Sequence, residues 1–365
     1  MPAPVLLDAT PMSGDHGLRG IGTAVRGLVE GLAAMAAEDR PTLLVRPGQP
    51  RPAGFEARPL RWPRWRWYRV PDPWPELVGE RLVGHMAGGV VHATQPALVP
   101  AGPAVVVSCY DLIPLCFRRQ YLAGVARAPQ ARAYRRYLRR LAVARLVLAP
   151  SRDTADDVTR LAGVDPGRVR LVPLGAPAAA APSGPAPDGP YVLYSGGLEH
   201  HKNAELAVDA IARAPRGVRL VMCGPWSRRR AERLRRRAAG QRAADRIAWL
   251  GFVSPGRLAA VRAGALAALV PSRKEGFGFP VLEAMVAGVP VLAADIPALR
   301  EVGGDAVRYL PLGEPGVWGE AIGRLAEDPG GRAAMSSRGH GRTGDYTWEA
   351  TARRTADAWR EAAGG

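Results

Sequence analysis

Short apolar runs, glycine-containing loops and helical periodicity alternate along the first half of the chain. The first unit is a buried strand at Val5–Asp8, a loop with glycines at 17, 20 and 22, and an apolar-periodic helix from about Thr23 to Ala37. This order is typical of the start of a Rossmann-like domain. The pattern continues with a basic helix over 132–141 and with buried strands at 42–45, 89–92, 105–108 and 145–149.

A tract rich in proline, alanine and glycine interrupts this pattern at residues 176–190 and predicts an interdomain linker. The alternation then restarts, with helices at 204–213, 228–239 and 255–262 and strands at 191–194, 219–223, 247–250, 267–270 and 291–294. We therefore expect an α/β protein with two doubly wound parallel sheets, in domains spanning 1–175 and 191–347. Because ligands of such sheets bind at the carboxyl ends of strands, two facing domains would form a cleft.

Size and composition agree with a two-domain globular protein. The chain has 365 residues, more than one hydrophobic core usually supports, and 47% of them are hydrophobic. It has neither an N-terminal secretion signal nor an apolar run near 18 residues, so a cytoplasmic location is expected, with peripheral contact to the inner membrane face left open. Its three cysteines lack metal-ligand spacing and are expected to be reduced.

The net charge of +17 raises the question of a polyanionic partner. Only two of the 50 basic residues are lysines, Lys202 and Lys274, which suggests a GC-rich genome such as that of an actinobacterium. The arginines are scattered along both halves of the chain, which argues against a nucleic-acid-binding stripe. Both lysines lie beside glycine-containing motifs.

The most informative segment is residues 271–290, where Glu275 precedes a Gly-Phe-Gly loop and Glu283 follows it eight residues later. Pro280 suits the first turn of a helix. Gly276 and Gly278 allow close backbone approach to a ligand, and the free N–H groups of the helix start favour an anion. The segment therefore predicts a site for an anionic ligand with hydroxyl groups. A strand–loop–helix joint with one solvated and one capping glutamate remains the structural alternative.

A second motif, Ser195-Gly196-Gly197-Leu198-Glu199-His200-His201-Lys202-Asn203, follows the first predicted strand of the second half. A lysine at a helix start combines a point charge with the helix dipole, so Lys202 is a candidate phosphate ligand. A solvated lysine is the alternative.

Together these motifs resemble those of retaining glycosyltransferases of the family 4 type (glycosyl transferases group 1), which have the GT-B fold. The resemblance spans most of the chain and is most specific over 191–310. It implies that Glu275 contacts the transferred sugar and Glu283 the ribose, that Lys202 binds the diphosphate, and that a final helix over 348–362 packs on the N-terminal domain. Donor contacts would also come from the glycine loops and their aromatic residues: Gly20, Gly22, Gly197, Phe252, Gly276, Phe277, Gly278 and Phe279. His201 replaces an arginine that is usual in the family.

In the first half, Tyr110-Asp111-Leu112 stands where many relatives have His-Asp-Leu. Tyrosine is a poor base near pH 7, but front-face attack, in which the departing phosphate takes the acceptor's proton, needs no protein base. Asp111 is expected to orient an acceptor hydroxyl or the sugar, or else to cap the following turn. His92 ends a predicted strand and is expected to reach the cleft.

Basic and aromatic residues interleave at 61–69, which includes Trp65 and Trp67. This composition suits a sugar acceptor stacked on tryptophan, a membrane interface, or a loop that packs its rings against the domain.

The leading hypothesis is a metal-independent transferase that moves a sugar from a nucleotide diphosphate sugar to a hydroxyl acceptor. No cofactor, metal site or nucleic-acid partner is expected. A phosphorylase or sugar-nucleotide epimerase of the same architecture, or a basic membrane- or nucleic-acid-binding protein, remains the alternative.

Overall fold

The chain folds into two compact units, each built on a parallel β-sheet. The computed structural model describes residues 3–13, 20–60, 89–96, 99–100, 102, 104–124 and 128–364. The first unit comprises Met1–Gly175 with Tyr346–Gly365, and the second comprises Ala176–Asp345.

The first unit contains a seven-stranded sheet with the strand order β3-β2-β1-β4-β5-β6-β7. Its strands are β1 (Val5–Asp8), β2 (Thr42–Val45), β3 (Ala57–Pro59), β4 (Val90–Ala93), β5 (Val105–Ser108), β6 (Leu146–Ala149) and β7 (Val169–Leu171). Its helices before the second unit are α1 (Gly20–Leu32), α2 (Ile113–Cys116), α3 (Arg118–Tyr121), α4 (Ala128–Val143) and α5 (Arg152–Ala162).

The second unit contains a six-stranded sheet with the order β10-β9-β8-β11-β12-β13. Its strands are β8 (Tyr191–Ser195), β9 (Arg219–Cys223), β10 (Ile247–Gly251), β11 (Ala267–Val270), β12 (Val291–Ala294) and β13 (Arg308–Leu310). Its helices are α6 (Ala204–Arg213), α7 (Arg228–Gly240), α8 (Pro255–Ala263), α9 (Phe279–Val286), α10 (Pro297–Gly303), α11 (Pro315–Glu327) and α12 (Pro329–Thr343), and the last helix, α13 (Trp348–Ala363), belongs to the first unit.

The predicted α/β fold with two doubly wound parallel sheets is confirmed. In both sheets the strand order reverses at one point, between β1 and β4 and between β8 and β11. Ligands of open parallel sheets bind beside such a reversal, at the carboxyl ends of the strands. The sequence prediction missed β3, β7 and β13, which are three-residue strands at sheet edges and carry no continuous apolar run.

The first helix differs from its prediction at both ends, because it begins at Gly20 and ends at Leu32. Gly20 and Gly22 were predicted to lie in a loop, but they form the first turn of α1. Ile21, Ala24 and Val25 extend the apolar face of the helix back to this turn, which is why helical structure starts earlier than the glycines suggested. Any contact of Gly20 and Gly22 with a donor phosphate would therefore come from N–H groups at a helix start.

Helix α13 packs against α1, and glycines make this contact possible. A Cβ atom on Gly27 would lie 2.0 Å from the Trp348 ring, and one on Gly31 would lie 2.2 Å from the Trp348 carbonyl oxygen. The apolar side chains of α1 and α13, including Leu28 and Trp359, share one buried cluster with the sheet. The last helix is therefore part of the core of the first unit.

The proline-rich tract at 176–190 contains no helix or strand. It belongs to the second unit and is tied to it by the Ser183 amide, which donates to the Gly256 carbonyl at 2.9 Å. Among the helices of the described residues, none has the length and apolar character needed to cross a bilayer.

The α1–α13 contact generates a stability prediction. Gly31→Ala should destabilise the first unit by about 1–3 kcal/mol, because its Cβ meets backbone that cannot move aside. Gly341 in α12 has open space around its Cβ position, so Gly341→Ala should be neutral or stabilise by roughly 0.5–1 kcal/mol. Urea unfolding measures both, and an unchanged midpoint for Gly31→Ala would contradict the packing.

Candidate functional site

The two sequence motifs of the second unit lie at the reversal of its sheet. The loop after β8 carries Lys202 and the loop after β11 carries Glu275, and β8 and β11 are neighbours. The Asn203 side chain connects the two loops, because it donates to the Pro271 carbonyl at 3.0 Å. Asn203 has a left-handed backbone conformation (φ 51°), which turns the chain from the loop into α6. The sheet topology therefore brings together residues that are 73 positions apart.

Lys202 and Glu275 form a bidentate ion pair. The Lys202 Nζ atom donates to Glu275 Oε1 at 2.7 Å and to Oε2 at 2.9 Å, and the Ser272 hydroxyl donates to Oε1 at 2.6 Å. Only 8% of the Glu275 side chain is exposed. Burial alone would raise the pKa of this carboxyl group, but the Lys202 charge and the two hydrogen-bonded partners hold the pKa below its usual range. Glu275 is therefore ionised and oriented before any ligand binds.

Glu283 lies one turn into α9 and pairs with an arginine that the sequence analysis did not single out. Arg262 at the end of α8 donates from Nη2 to Glu283 Oε2 at 2.6 Å, and 32% of the Glu283 side chain remains exposed. Helix α9 begins at Phe279, with Pro280 in its first turn and Gly278 at its N-cap with φ 121°. Glu283 thus presents a carboxylate at the same edge of the sheet, held by one cation.

The Gly-Phe-Gly loop is packed rather than open. Gly276, Phe277 and Gly278 are buried, and the Phe277 ring meets the Phe279 ring edge-on at a centroid distance of 5.5 Å. The two aromatic side chains therefore stabilise the loop, and only its backbone is suited to contact a ligand. A positive φ at Gly278 explains why glycine occupies that position.

The loop after β8 is also closely packed. The Gly196 carbonyl accepts from Trp226 Nε1 at 2.8 Å, and the Gly197 carbonyl accepts from the Tyr194 hydroxyl at 2.5 Å. A Cβ on Gly197 would overlap the Glu199 carboxylate at 1.8 Å. At the end of β10, Gly251 has φ 65° and the next residue, Phe252, is 61% exposed. An exposed aromatic ring is thus available at the carboxyl edge of the sheet.

His201, which replaces the arginine usual in the family, carries no charge near neutral pH. Burial, followed by the charge of Lys202, lowers its pKa to about 4. Lys202 therefore supplies the positive charge of this loop, whereas related motifs have two basic residues.

In the first unit, Tyr110 and Asp111 lie just after the carboxyl end of β5. Tyr110 is half-buried against the core, and burial raises its pKa above the usual value, so it is a protonated hydrogen-bond donor and not a base. Asp111 Oδ1 accepts from the Ile113 amide at 3.0 Å and caps the turn into α2. Their predicted contacts with a sugar or an acceptor stay predictions, and Trp65 and Trp67 lie outside the described residues.

The prediction that His92 reaches a ligand site is wrong. His92 is fully buried, with Nε2 2.9 Å from the Ser108 hydroxyl oxygen and Nδ1 accepting from Trp359 Nε1 at 3.1 Å. Because an indole N–H can only donate, Nδ1 carries no proton, and Nε2 donates to Ser108. His92 therefore cannot act as a base toward Ser108. It joins β4, β5 and α13 within the core, a role that depends on a tryptophan 267 residues away.

A second buried polar group that the sequence analysis missed lies at the ends of β1 and β4. Asp8 accepts hydrogen bonds from the Thr10 amide at 3.0 Å, from the Thr10 hydroxyl at 2.6 Å and from Gln95 Nε2 at 3.2 Å. Burial raises the pKa of Asp8, and these hydrogen bonds oppose the increase. Thr10 and Gln95 belong to the same unit as Asp8, so the cluster stabilises the strand ends.

Two family models match consecutive parts of the chain. Residues 18–179 match Glycosyltransferase Family 4 and residues 177–342 match Glycosyl transferases group 1. The chain belongs to the family 4 type of GT-B glycosyltransferases. This membership accounts for the paired motifs at the sheet reversal of the second unit.

Similar curated proteins include other members of this family. A D-inositol 3-phosphate glycosyltransferase of Xylanimonas cellulosilytica is 29% identical over 239 residues, which cover 59% of this chain and 57% of the relative. The O-antigen chain mannosyltransferase B of Escherichia coli is 27% identical over 234 residues, covering 60% of this chain and 61% of the relative. The chain thus spans little more than half the length of the curated relatives it matches. The arginine-rich composition agrees with the actinobacterial source of the first of them.

Solved structures show the same fold across nearly the whole chain. A sucrose-phosphate synthase of Thermosynechococcus elongatus superimposes with a TM-score of 0.74 at 21% identity, covering 98% of both chains. The Anabaena protein HepE, in complex with UDP and glucose, superimposes with a TM-score of 0.71 at 16% identity, covering 97% of this chain and 98% of that one.

The buried state of His92 predicts a pH dependence of stability. Burial lowers its pKa to about 3, whereas an unfolded histidine titrates near about 6.5. Between these values the unfolded chain binds one more proton, so His92 makes the unfolding free energy fall as the pH falls, by up to about 1.4 kcal/mol per pH unit. Urea titrations from pH 7 to pH 5 should show a shallower pH dependence in His92→Asn. The control His340→Asn removes an exposed imidazole, and equal changes in both variants would contradict the assignment.

Proposed function

We propose that this chain is a retaining glycosyltransferase that moves a sugar from a nucleoside diphosphate sugar to a hydroxyl group of a glycan, glycolipid or small natural product. The observation that carries the proposal is the ionised Glu275, held by Lys202 at the sheet reversal, with Glu283 one turn into α9 at the same edge. A carboxylate pair beside one lysine suits a ligand with hydroxyl groups at both ends and a diphosphate between them. The similar Anabaena structure, solved with UDP and glucose, supports a nucleotide sugar as donor.

Each charged group has a proposed task. Glu283 accepts hydrogen bonds from ribose hydroxyls through the oxygen that Arg262 leaves available, and the Arg262 hydrogen bond orients the carboxylate. Glu275 accepts from hydroxyls of the transferred sugar. Lys202 leaves Glu275 for the diphosphate, where the N–H groups at the start of α9 add further donors. The neutral His201 makes Lys202 the main cation at this point.

The reaction follows from these positions. The acceptor oxygen forms a bond to the anomeric carbon on the face from which the diphosphate leaves, and the acceptor's proton passes to the departing phosphate oxygen. The protein stabilises the negative charge that develops on that oxygen and needs no base of its own, which is compatible with a protonated Tyr110. The proposal includes no bound metal, because Lys202 supplies the positive charge.

Lys202→Gln tests the diphosphate role. The amide can still donate to Glu275, so the fold should persist, but the lost charge should lower kcat about 100- to 1000-fold. Steady-state turnover, with thermal unfolding as a check on folding, measures the effect. Lys274→Gln removes the other lysine and should change turnover little. Wild-type turnover in Lys202→Gln would refute the proposed role of Lys202 at the diphosphate. Separately, loss of wild-type activity in the presence of a chelator would refute metal independence.

A thermal-shift screen against UDP, GDP, ADP and dTDP tests the nucleotide site. Because a ligand that binds only the native state stabilises it by RT ln(1 + L/Kd), where L is the free ligand concentration, the matching nucleotide should raise the melting temperature by several degrees at about 100 times its Kd. Glu283→Gln should reduce that rise, whereas the control Glu320→Gln, on the exposed face of α11, should not. No rise with any nucleotide would contradict the proposed function.

A further inference from the structure

The excess positive charge of the chain is not spread evenly over its helices. Between Leu112 and Arg152 the sequence contains no acidic residue, although arginines occur throughout. No carboxylate of the described chain forms an ion pair with five exposed arginines on α3 and α4: Arg118, Arg119, Arg132, Arg135 and Arg139. We call these five residues the α3–α4 arginines.

Helix α7 provides an informative comparison, since it is even richer in arginine than α4. There, Arg228 pairs with Glu232 at 2.8 Å, Arg230 with Glu199 at 3.1 Å, and Arg233 with Glu205 at 3.7 Å. Those charges are balanced by acidic neighbours within the same unit. On α4, in contrast, neighbouring positive charges repel one another. Burial, together with the charges of Arg139 and Arg140, lowers the pKa of Arg136.

Three of the α3–α4 arginines border an apolar groove. Leu115, Leu122, Tyr134 and Leu138 line a groove of about 270 Å³, and Arg118, Arg119 and Arg135 also line it. All four apolar side chains are half-buried. The groove therefore places aliphatic surface directly beside cationic groups that have no ion-pair partner among the described residues.

The exposed side of α4 continues this arrangement. At about 100° per residue, Arg132, Arg135, Arg139 and Val143 lie within roughly 80° of one another on the helix. Val143 is 59% exposed and, with Phe252, is one of two large hydrophobic residues that are exposed among the described positions. The helix thus presents a cationic stripe that ends in an exposed aliphatic side chain.

We propose that this face binds the surface of an anionic phospholipid bilayer. Anionic lipid headgroups would pair with the α3–α4 arginines, which have no carboxylate partner in the described chain. The adjacent acyl chains of the lipid suit the leucines and Val143. A single-stranded nucleic acid fits less well, because its bases need aromatic stacking surfaces and Tyr134 is the only aromatic residue that lines the groove in the described part of the chain. The inference concerns a surface of the first unit and does not depend on the proposed catalytic activity.

Vesicle co-sedimentation of the full chain tests this proposal. The protein should bind vesicles of roughly three parts phosphatidylcholine to one part phosphatidylglycerol and should not bind phosphatidylcholine alone. Replacing Arg132, Arg135 and Arg139 with glutamine should lower the partition coefficient on the order of a hundredfold, at about fivefold for each arginine. Val143→Ser should weaken the binding that remains when salt is raised.

The matched control replaces Arg228, Arg230 and Arg233 of α7 with glutamine, which removes the same charge from paired positions. This triple variant should bind vesicles within about twofold of the wild type, because its arginines already have carboxylate partners. Thermal unfolding verifies that both triple variants are folded. Equal loss of binding in both, absence of wild-type binding, or tighter binding to duplex DNA that the α4 triple variant abolishes would each overturn the proposal.

Discussion

The buried ion pair between Lys202 and Glu275 is the constraint on which the candidate site depends. A carboxylate with 8% of its side chain exposed is unstable without a partner, and removing one member of such a pair typically costs about 3–5 kcal/mol. Here the partner comes from the neighbouring strand's loop, so the pair fixes the loops after β8 and β11 relative to one another. Asn203 and Ser272 reinforce this connection with hydrogen bonds on either side.

The same pair explains how one loop can serve both binding and charge stabilisation. In the absence of a ligand the lysine neutralises the carboxylate, and 22% of the Lys202 side chain remains exposed. Under the proposed function, a diphosphate would compete with Glu275 for the lysine, and sugar hydroxyls would compete with the lysine for Glu275. Because His201 is neutral, this proposed exchange depends on a single cation of the loop. Arg262 would have a corresponding role at Glu283.

The fold was largely predictable from the sequence because buried parallel strands appear as short apolar runs, and both sheets consist mainly of such runs. Glu275, Glu283 and Lys202 could be singled out because each stands beside glycines at a strand or helix end. Their pairing could not, since Lys202 and Glu275 are 73 residues apart. Arg262 carried no signal among so many arginines, and only the folded structure brings it from the end of α8 to Glu283 in α9.

His92 shows the opposite limit. Its position at a strand end resembles that of a ligand-binding residue, but the strand is central and α13 covers it. Trp359 donates a hydrogen bond to one nitrogen of the His92 ring, and Ser108 accepts one from the other. The first helix illustrates a local limit, because glycines at 20 and 22 suggested a loop whereas the apolar face of α1 extends through them. In both cases tertiary packing outweighed a local pattern.

The most direct test of this account is calorimetric titration of Glu275→Gln with a nucleoside diphosphate and, separately, with the corresponding nucleoside diphosphate sugar. If Lys202 moves from Glu275 to the diphosphate, the variant should bind the diphosphate as tightly as the wild type or more tightly, because the lysine no longer has a competing carboxylate. It should bind the sugar nucleotide more weakly relative to the diphosphate, because the sugar hydroxyls lose their acceptor. If the affinities for both ligands fell equally, or if neither affinity changed, the exchange of Lys202 between Glu275 and the diphosphate would be contradicted.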